Sequence, residues 1–149
     1  MIGFLRVVLV GVPLTVWYSL RVLWGALRRS STLPGTCEEL PRKWARTLLW
    51  AAGARVKVEN LEHVAPDRAR ILVANHTSYF DVLALCSVIP GKFRFVGKEE
   101  LTRIPFFGAA WQACGHISID RKDKASAMES LARARRTLER ERPTVILFP

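Results

Sequence analysis

Short apolar runs alternate with helical patterns through most of this chain, and that rhythm constrains the fold more than any other feature. Arg55 to Val58 alternates polar and apolar, and Ile71-Leu72-Val73 is a brief buried-strand candidate. Val82 to Ile89 reads as a helix that Pro90-Gly91 ends, and Lys92 to Val96 alternates as a strand. Ile104 to Cys114 is helical in pattern, and His116 to Asp120 alternates again. Lys122 to Arg142 is the clearest helix: Met128, Leu131 and Leu138 recur on a charged background, and Pro143 stops it. Thr144 to Phe148 is a final β run. Upstream, Leu40 to Ala54 predicts a helix with Pro41 in its first turn and Gly53 near its end. The order β-β-α-β-α-β-α-β implies an α/β fold, a mixed sheet layered with helices.

The N-terminal residues follow another rule. From Val7 to Leu20 no residue carries a formal charge; Arg6 precedes the run, Arg21 follows it, and Val22 to Leu27 is apolar again. Fourteen such residues fall short of the roughly 20 that cross a hydrocarbon core. Including Arg21 lengthens the run, at the cost of an arginine near a bilayer centre. On a helical wheel Arg6, Arg21 and Arg28 fall within roughly 60° of one another. That puts the arginines on one side, with Trp17 and Trp24 as interfacial anchors, although Pro13 bends the helix and blurs the phase. A buried core helix and a signal peptide are the competing readings. The latter lacks a small-residue cleavage site around Ser30-Ser31-Thr32-Leu33-Pro34. A membrane-embedded or membrane-lying segment over residues 1–30 is favoured. If it spans, Arg21, Arg28 and Arg29 hold the rest of the chain on the cytoplasmic side. Ser30 to Gly35 is the polar connector, and residues 37–149 form the second domain.

The net charge of +10, from 23 Lys and Arg against 13 Asp and Glu, suits an anionic partner: nucleic acid, an acidic membrane face or a phosphorylated substrate. Cys37, Cys86 and Cys114 are odd in number and widely spaced, which indicates neither a disulfide framework nor a metal site. Cys86 and Cys114 lie in apolar surroundings suited to free thiols, and a reducing, cytoplasm-facing compartment fits best.

The chemistry-bearing segment is Asn75-His76-Thr77-Ser78-Tyr79-Phe80-Asp81, directly after one strand candidate and at the start of a helix. On a continuous helix residues five apart are about 140° apart and do not meet. A strand-to-helix turn lifts that limit, so the His76 ring can fold back onto the Asp81 carboxylate. Such a pair is the orienter and base of a catalytic triad. The blander alternative is a capping box, with Ser78 and Asp81 serving only the helix start. Ser78 lacks the flanking glycines of a nucleophile elbow, and N-capping suits it better.

These seven residues resemble the N-H-x-S-x-x-D signature of the 1-acyl-glycerol-3-phosphate acyltransferase family. Gly97-Lys98-Glu99-Glu100-Leu101 leading to Ile104-Pro105-Phe106-Phe107-Gly108 is similar to the family's K-x-E-L and I-P-x-x-G block. Gly115-His116-Ile117-Ser118-Ile119-Asp120-Arg121 resembles its G-x-x-x-I-D-R block, and Val145 to Pro149 the start of F-P-E-G-T-R. The resemblance spans roughly residues 40–149. It implies a glycerolipid acyltransferase-like fold, with acyl transfer from a thioester, acyl-CoA or acyl-carrier protein, to the hydroxyl of a lysophospholipid. His76 would be the base and Asp81 its brace. Lys98 and Arg121 would meet the acceptor's phosphate, and Asn75, Ser78, Gly97, Pro105 and Gly108 would shape the site. No cofactor and no metal are implied, and no acyl-enzyme is required.

Lysophosphatidic acid is the default acceptor, with glycerol-3-phosphate or another lysolipid open. The partners expected are a bilayer, a lysophospholipid and an acyl thioester, not nucleic acid, because the aromatics sit in apolar runs rather than among basic residues. The rival readings are a membrane-tethered lipid esterase and a basic, non-enzymatic membrane-tethered module. The chain stops where the Glu-Gly-Thr-Arg of the last block is expected, so a truncated form with little activity is anticipated.

Overall fold

The computed structural model describes residues 2–28, 33–64, 68–120 and 124–149. The chain forms two compact units: Met1–Val64 with His76–Ile89, which is helical, and Ala65–Asn75 with Pro90–Pro149, which holds the sheet.

In the helical unit, α1 (Ile2–Leu27) packs on α2 (Leu33–Ala51), and α2 packs on α3 (Tyr79–Val88). The uncharged N-terminal run propagates α1 through Pro13 even though that residue lacks an N–H for the helical ladder. Val22 and Ser19 are buried, whereas Leu9, Val12, Trp17, Leu20, Trp24 and Leu27 are exposed. Val8–Leu27, twenty residues at a mean hydropathy of 1.4, is long and apolar enough to cross a membrane. Trp17 and Trp24 each lie beneath an arginine one helical turn on, Arg21 at 5.4 Å and Arg28 at 4.3 Å from the ring centroid.

Helix α2 begins at Leu33, well before the expected Leu40, and carries Pro41 in its interior rather than its first turn. Burial explains the difference: Cys37 and Glu38, just ahead of the proline, are packed away from solvent and hold the extra turns. Leu33–Gly35 of the expected connector is thus helical, and Ser30–Thr32 lies outside the described residues. Trp44 on α2 donates its Nε1–H to the Thr15 hydroxyl of α1 (2.9 Å), which in turn donates to the Gly11 carbonyl (2.7 Å). Arg55 to Val58 forms no strand: all four residues are exposed, and no ladder partner satisfies them.

The sheet unit contains β1 (Arg70–Val73), β2 (Phe93–Lys98), β3 (Ile117–Ile119) and β4 (Thr144–Leu147), in the order β1-β4-β2-β3. Every described pairing is parallel. Helices α4 (Phe107–Ala113) and α5 (Lys124–Glu141) lie in the connections that parallel strands require. Central strands of parallel sheets are covered on both faces and read as continuous rather than alternating burial. Phe93, Arg94 and Phe95 are accordingly all buried, as are Thr144, Val145 and Ile146. The alternation seen in Lys92 to Val96 therefore does not mark a solvated face. Arg94 is accommodated by donating to Glu141 Oε2 (2.8 Å) and to the Phe93 carbonyl (2.7 Å). Strand β1 shows the converse. It lies at the sheet edge, and Ile71 and Val73, expected to be buried, are each 61% exposed.

Cys86 is a buried free thiol, pushed up to about 12 by loss of water. Cys114 is disulfide-bonded, so the expectation of a free thiol holds for Cys86 and fails for Cys114.

Because the strands are parallel, their C-terminal ends share one edge, where open α/β sheets bind ligands. Asn75 follows β1 there, Lys98 ends β2, Asp120 follows β3 and Phe148 follows β4.

Candidate active site

The entry to α3 is built by its own sequence. Ser78 is the N-cap, extended at φ −153° and ψ 156°, and its Oγ accepts the Phe80 N–H at 3.2 Å. Asp81, three residues on, reaches back and accepts the Ser78 N–H at 2.8 Å, completing the capping box. The same Oδ2 accepts the Thr77 N–H at 2.7 Å and lies 3.3 Å from Nδ1 of His76. The capping box and the base–carboxylate pair are therefore not alternatives. One carboxylate oxygen serves both.

This convergence sets the electrostatics. The backbone N–H groups of Ser78 and Thr77, helped by His76, hold the Asp81 carboxyl below its ordinary value against the opposing effect of partial burial. An ionised carboxylate only accepts, so His76 Nδ1 must carry the donated hydrogen and Nε2 is the basic nitrogen. The His76 and Asp81 side chains are 37% and 30% exposed, so the ring is partly open to solvent. Tyr79, 87% exposed, stands edge-on to the ring at 6.5 Å between centroids. Ser78 is committed to capping, which leaves its hydroxyl poorly set up as a nucleophile.

In the sheet unit Lys98 is exposed at the end of β2, paired in register with Ile119, and leads into a 3-10 turn at Glu99–Arg103. Gly97 has no room for a side chain: a Cβ there would come within 2.9 Å of the Trp111 ring. At Gly108 a Cβ would fall on the Thr102 carbonyl, so only glycine fits. Pro105 is exposed, and its carbonyl accepts the Phe107 N–H at 2.7 Å. Pro105 and Gly108 thus shape the local backbone. Asn75 is exposed just beyond β1. Arg121 lies outside the described residues. Among the described residues no group of three or more His, Cys, Asp or Glu side chains is gathered to hold a metal ion.

Two residues escaped the sequence reading. Phe106 has a φ of +62°, costly for a bulky side chain, at the start of α4. His116, beside β3, accepts the Phe95 N–H on Nδ1 at 3.0 Å and packs 4.3 Å from the Trp111 ring. Burial, then the Arg94 cation, pushes its pKa down to about 3. Its only sequence signal was a histidine placed within a strand-like alternation.

Comparison with known proteins agrees with this architecture. The acyltransferase family profile matches residues 55–149. The chain belongs to the acyltransferase family. It is 38% identical over 81 residues to a 1-acyl-sn-glycerol-3-phosphate acyltransferase of Helicobacter pylori, covering 54% of this chain and 34% of that protein. It is 33% identical over 97 residues to the alpha 1-acyl-sn-glycerol-3-phosphate acyltransferase of Homo sapiens, covering 65% of this chain and 34% of that one. The acyltransferase chain thus spans about a third of the length of these curated relatives. Its fold is that of the crystal structure of the 1-acyl-sn-glycerophosphate (LPA) acyltransferase PlsC from Thermotoga maritima. The TM-score is 0.77 at 21% identity, over 97% of this chain and 58% of that one.

Proposed function

We propose that this acyltransferase moves a fatty acyl group from a thioester to the free hydroxyl of 1-acyl-glycerol-3-phosphate, giving phosphatidic acid for phospholipid biosynthesis. The observation that carries the reading is the approach of His76 Nδ1 to Asp81 Oδ2 at 3.3 Å, with Asp81 held ionised by two backbone N–H groups. Nε2 of His76 takes the hydroxyl proton as the oxygen attacks the thioester carbonyl. The tetrahedral intermediate collapses with cleavage of the C–S bond, and the thiolate leaves. A thiol with a pKa of about 8.5 departs without a strong acid, and the imidazolium returns its proton to the thiolate or to water. Asp81 keeps the ring in the productive tautomer and balances the imidazolium charge.

Lys98 and Arg121 are the proposed cations for the acceptor's phosphate, and acyl-CoA or acyl-carrier protein the proposed donor. Residues 1–30 would attach the protein to the bilayer in which the lysolipid resides, with residues 37–149 as the catalytic domain on the cytoplasmic face. The excess of positive charge favours an anionic leaflet. The test is turnover by the full-length protein in lipid vesicles, with acyl-CoA and either lysophosphatidic acid, glycerol-3-phosphate or a lysolipid lacking the exposed phosphate. Phosphatidic acid should form from the first, and His76→Ala should abolish it. Equal rates on all three acceptors would remove the phosphate from the reading. An undiminished His76→Ala protein would remove the reaction itself.

A further inference from the structure

The far end of α3 carries a second arrangement that the proposed chemistry does not use. Helix ends leave their last carbonyls without intrahelical donors. At the buried end of α3 those carbonyls meet two arginines of α2. Arg42 donates Nε–H and an Nη2–H to the Ile89 carbonyl, at 3.1 and 2.9 Å. Arg46, one turn along α2, donates Nε–H to the Ser87 carbonyl at 3.1 Å. Two cations at the negative end of a helix are also favoured by its dipole.

Helix α3 has 10 residues. A rod of that size is about 15 Å long, with Asp81 in its first turn and the clamp at its last. The clamp therefore sets where α3, and Asp81 with it, stands along α2. Helix α2 is in turn pinned to α1 through Trp44 and Thr15. Along α1, Leu9, Val12, Leu20 and Leu27 face outward. An unbroken series of specific contacts thus runs inside one compact unit from an apolar outer face to the His76–Asp81 pair.

Resting on the reaction proposed above, we infer that Arg42 and Arg46 are positioning residues that set the height of the His76–Asp81 pair over the lipid surface. A lysolipid anchored in a bilayer presents its hydroxyl at a restricted depth, so a displaced α3 misses it. A water-soluble short-chain acceptor diffuses to the pair wherever it stands. The clamp thus matters for the anchored acceptor and is dispensable for the dissolved one.

The test compares Arg42→Gln/Arg46→Gln with the parent in the full-length protein. One acceptor is long-chain lysophosphatidic acid in phosphatidylcholine–phosphatidylglycerol vesicles, the other a short-chain lysophosphatidic acid below its micelle concentration. The double variant should lose about tenfold in kcat/KM on the vesicle-borne acceptor and less than about twofold on the dissolved one. Lysine at both positions, which keeps a donor and the charge, should recover part of the loss. Equal losses on the two acceptors would overturn the inference, since the clamp would then be holding the fold alone. No loss on either would overturn it too. Should the double variant not fold, the single Arg46→Gln carries the same test at a surface residue. The reaction stands or falls separately: His76→Ala activity on the dissolved acceptor would sink that reading without touching the clamp.

Discussion

His76, at the entry to α3, turns Nδ1 toward an ionised carboxylate, whereas His116, beside β3, turns Nδ1 toward a backbone N–H. The first nitrogen donates and the second accepts, so the rings are held in opposite tautomers. The His76 side chain is over a third exposed. His116 is packed among Phe93, Phe95 and Trp111, and its pKa is driven to about 3. Asp81 braces the first ring; the cationic Arg94 repels a proton on the second. One histidine faces a carboxylate, and the other is kept from taking up charge by burial and by Arg94. The difference lies in what faces Nδ1 of each ring, not in the residue type.

The largest effect that would sharpen this contrast is on turnover by Asp81→Asn, which keeps the shape but loses the charge. It should lower kcat by about 10² to 10³, because the ring loses its tautomer control. A near-normal kcat would reduce Asp81 to a helix cap. Next in size, His116→Leu should cost about 1–3 kcal/mol in denaturant unfolding, since the buried Phe95 N–H loses its acceptor. Well below its melting temperature that variant should keep its turnover per folded molecule. If it failed as His76→Ala is expected to, the contrast between the rings would collapse.

The last effect, of the same order as that of His116→Leu, is in pH. With its folded pKa near 3 and an unfolded value of about 6.5, His116 binds a proton in the unfolded chain before the folded one. Stability should therefore fall as pH drops below about 6.5, by about 1.4 kcal/mol for each unit. Asp81 and Glu141, both held below their ordinary values, begin to cost stability only at lower pH, where the unfolded carboxylates take protons. Unfolding curves between pH 5 and 6.5 should carry the His116 slope, and His116→Leu should flatten them.

What was legible in the sequence divides along the range of the interactions. The His76–Asp81 pair was readable because everything that shapes it lies within seven residues: the cap at Ser78, the returning carboxylate and the turn out of β1. The strand from Thr144 onward was readable because a buried parallel strand is nearly continuous in apolar residues, whereas the one from Phe93 was found through an alternation that Arg94 creates. What was missed depends on distant partners. Arg94 looks like a solvent-facing residue until Glu141, at the end of α5, is beside it. The early start of α2 follows from burial of Cys37 and Glu38, not from local propensity. The edge placement of β1, which leaves Ile71 and Val73 exposed, is a property of topology and has no local signature.

That topology also orders events at the ribosome. The first strand to be made, Arg70–Val73, has its only described neighbour in Thr144–Leu147, which is made last of the four. The same late strand is the wedge that joins β1 to β2. During synthesis the early strands must therefore wait unzipped, and a newborn chain holds an open sheet until the residues of Thr144–Leu147 have been added.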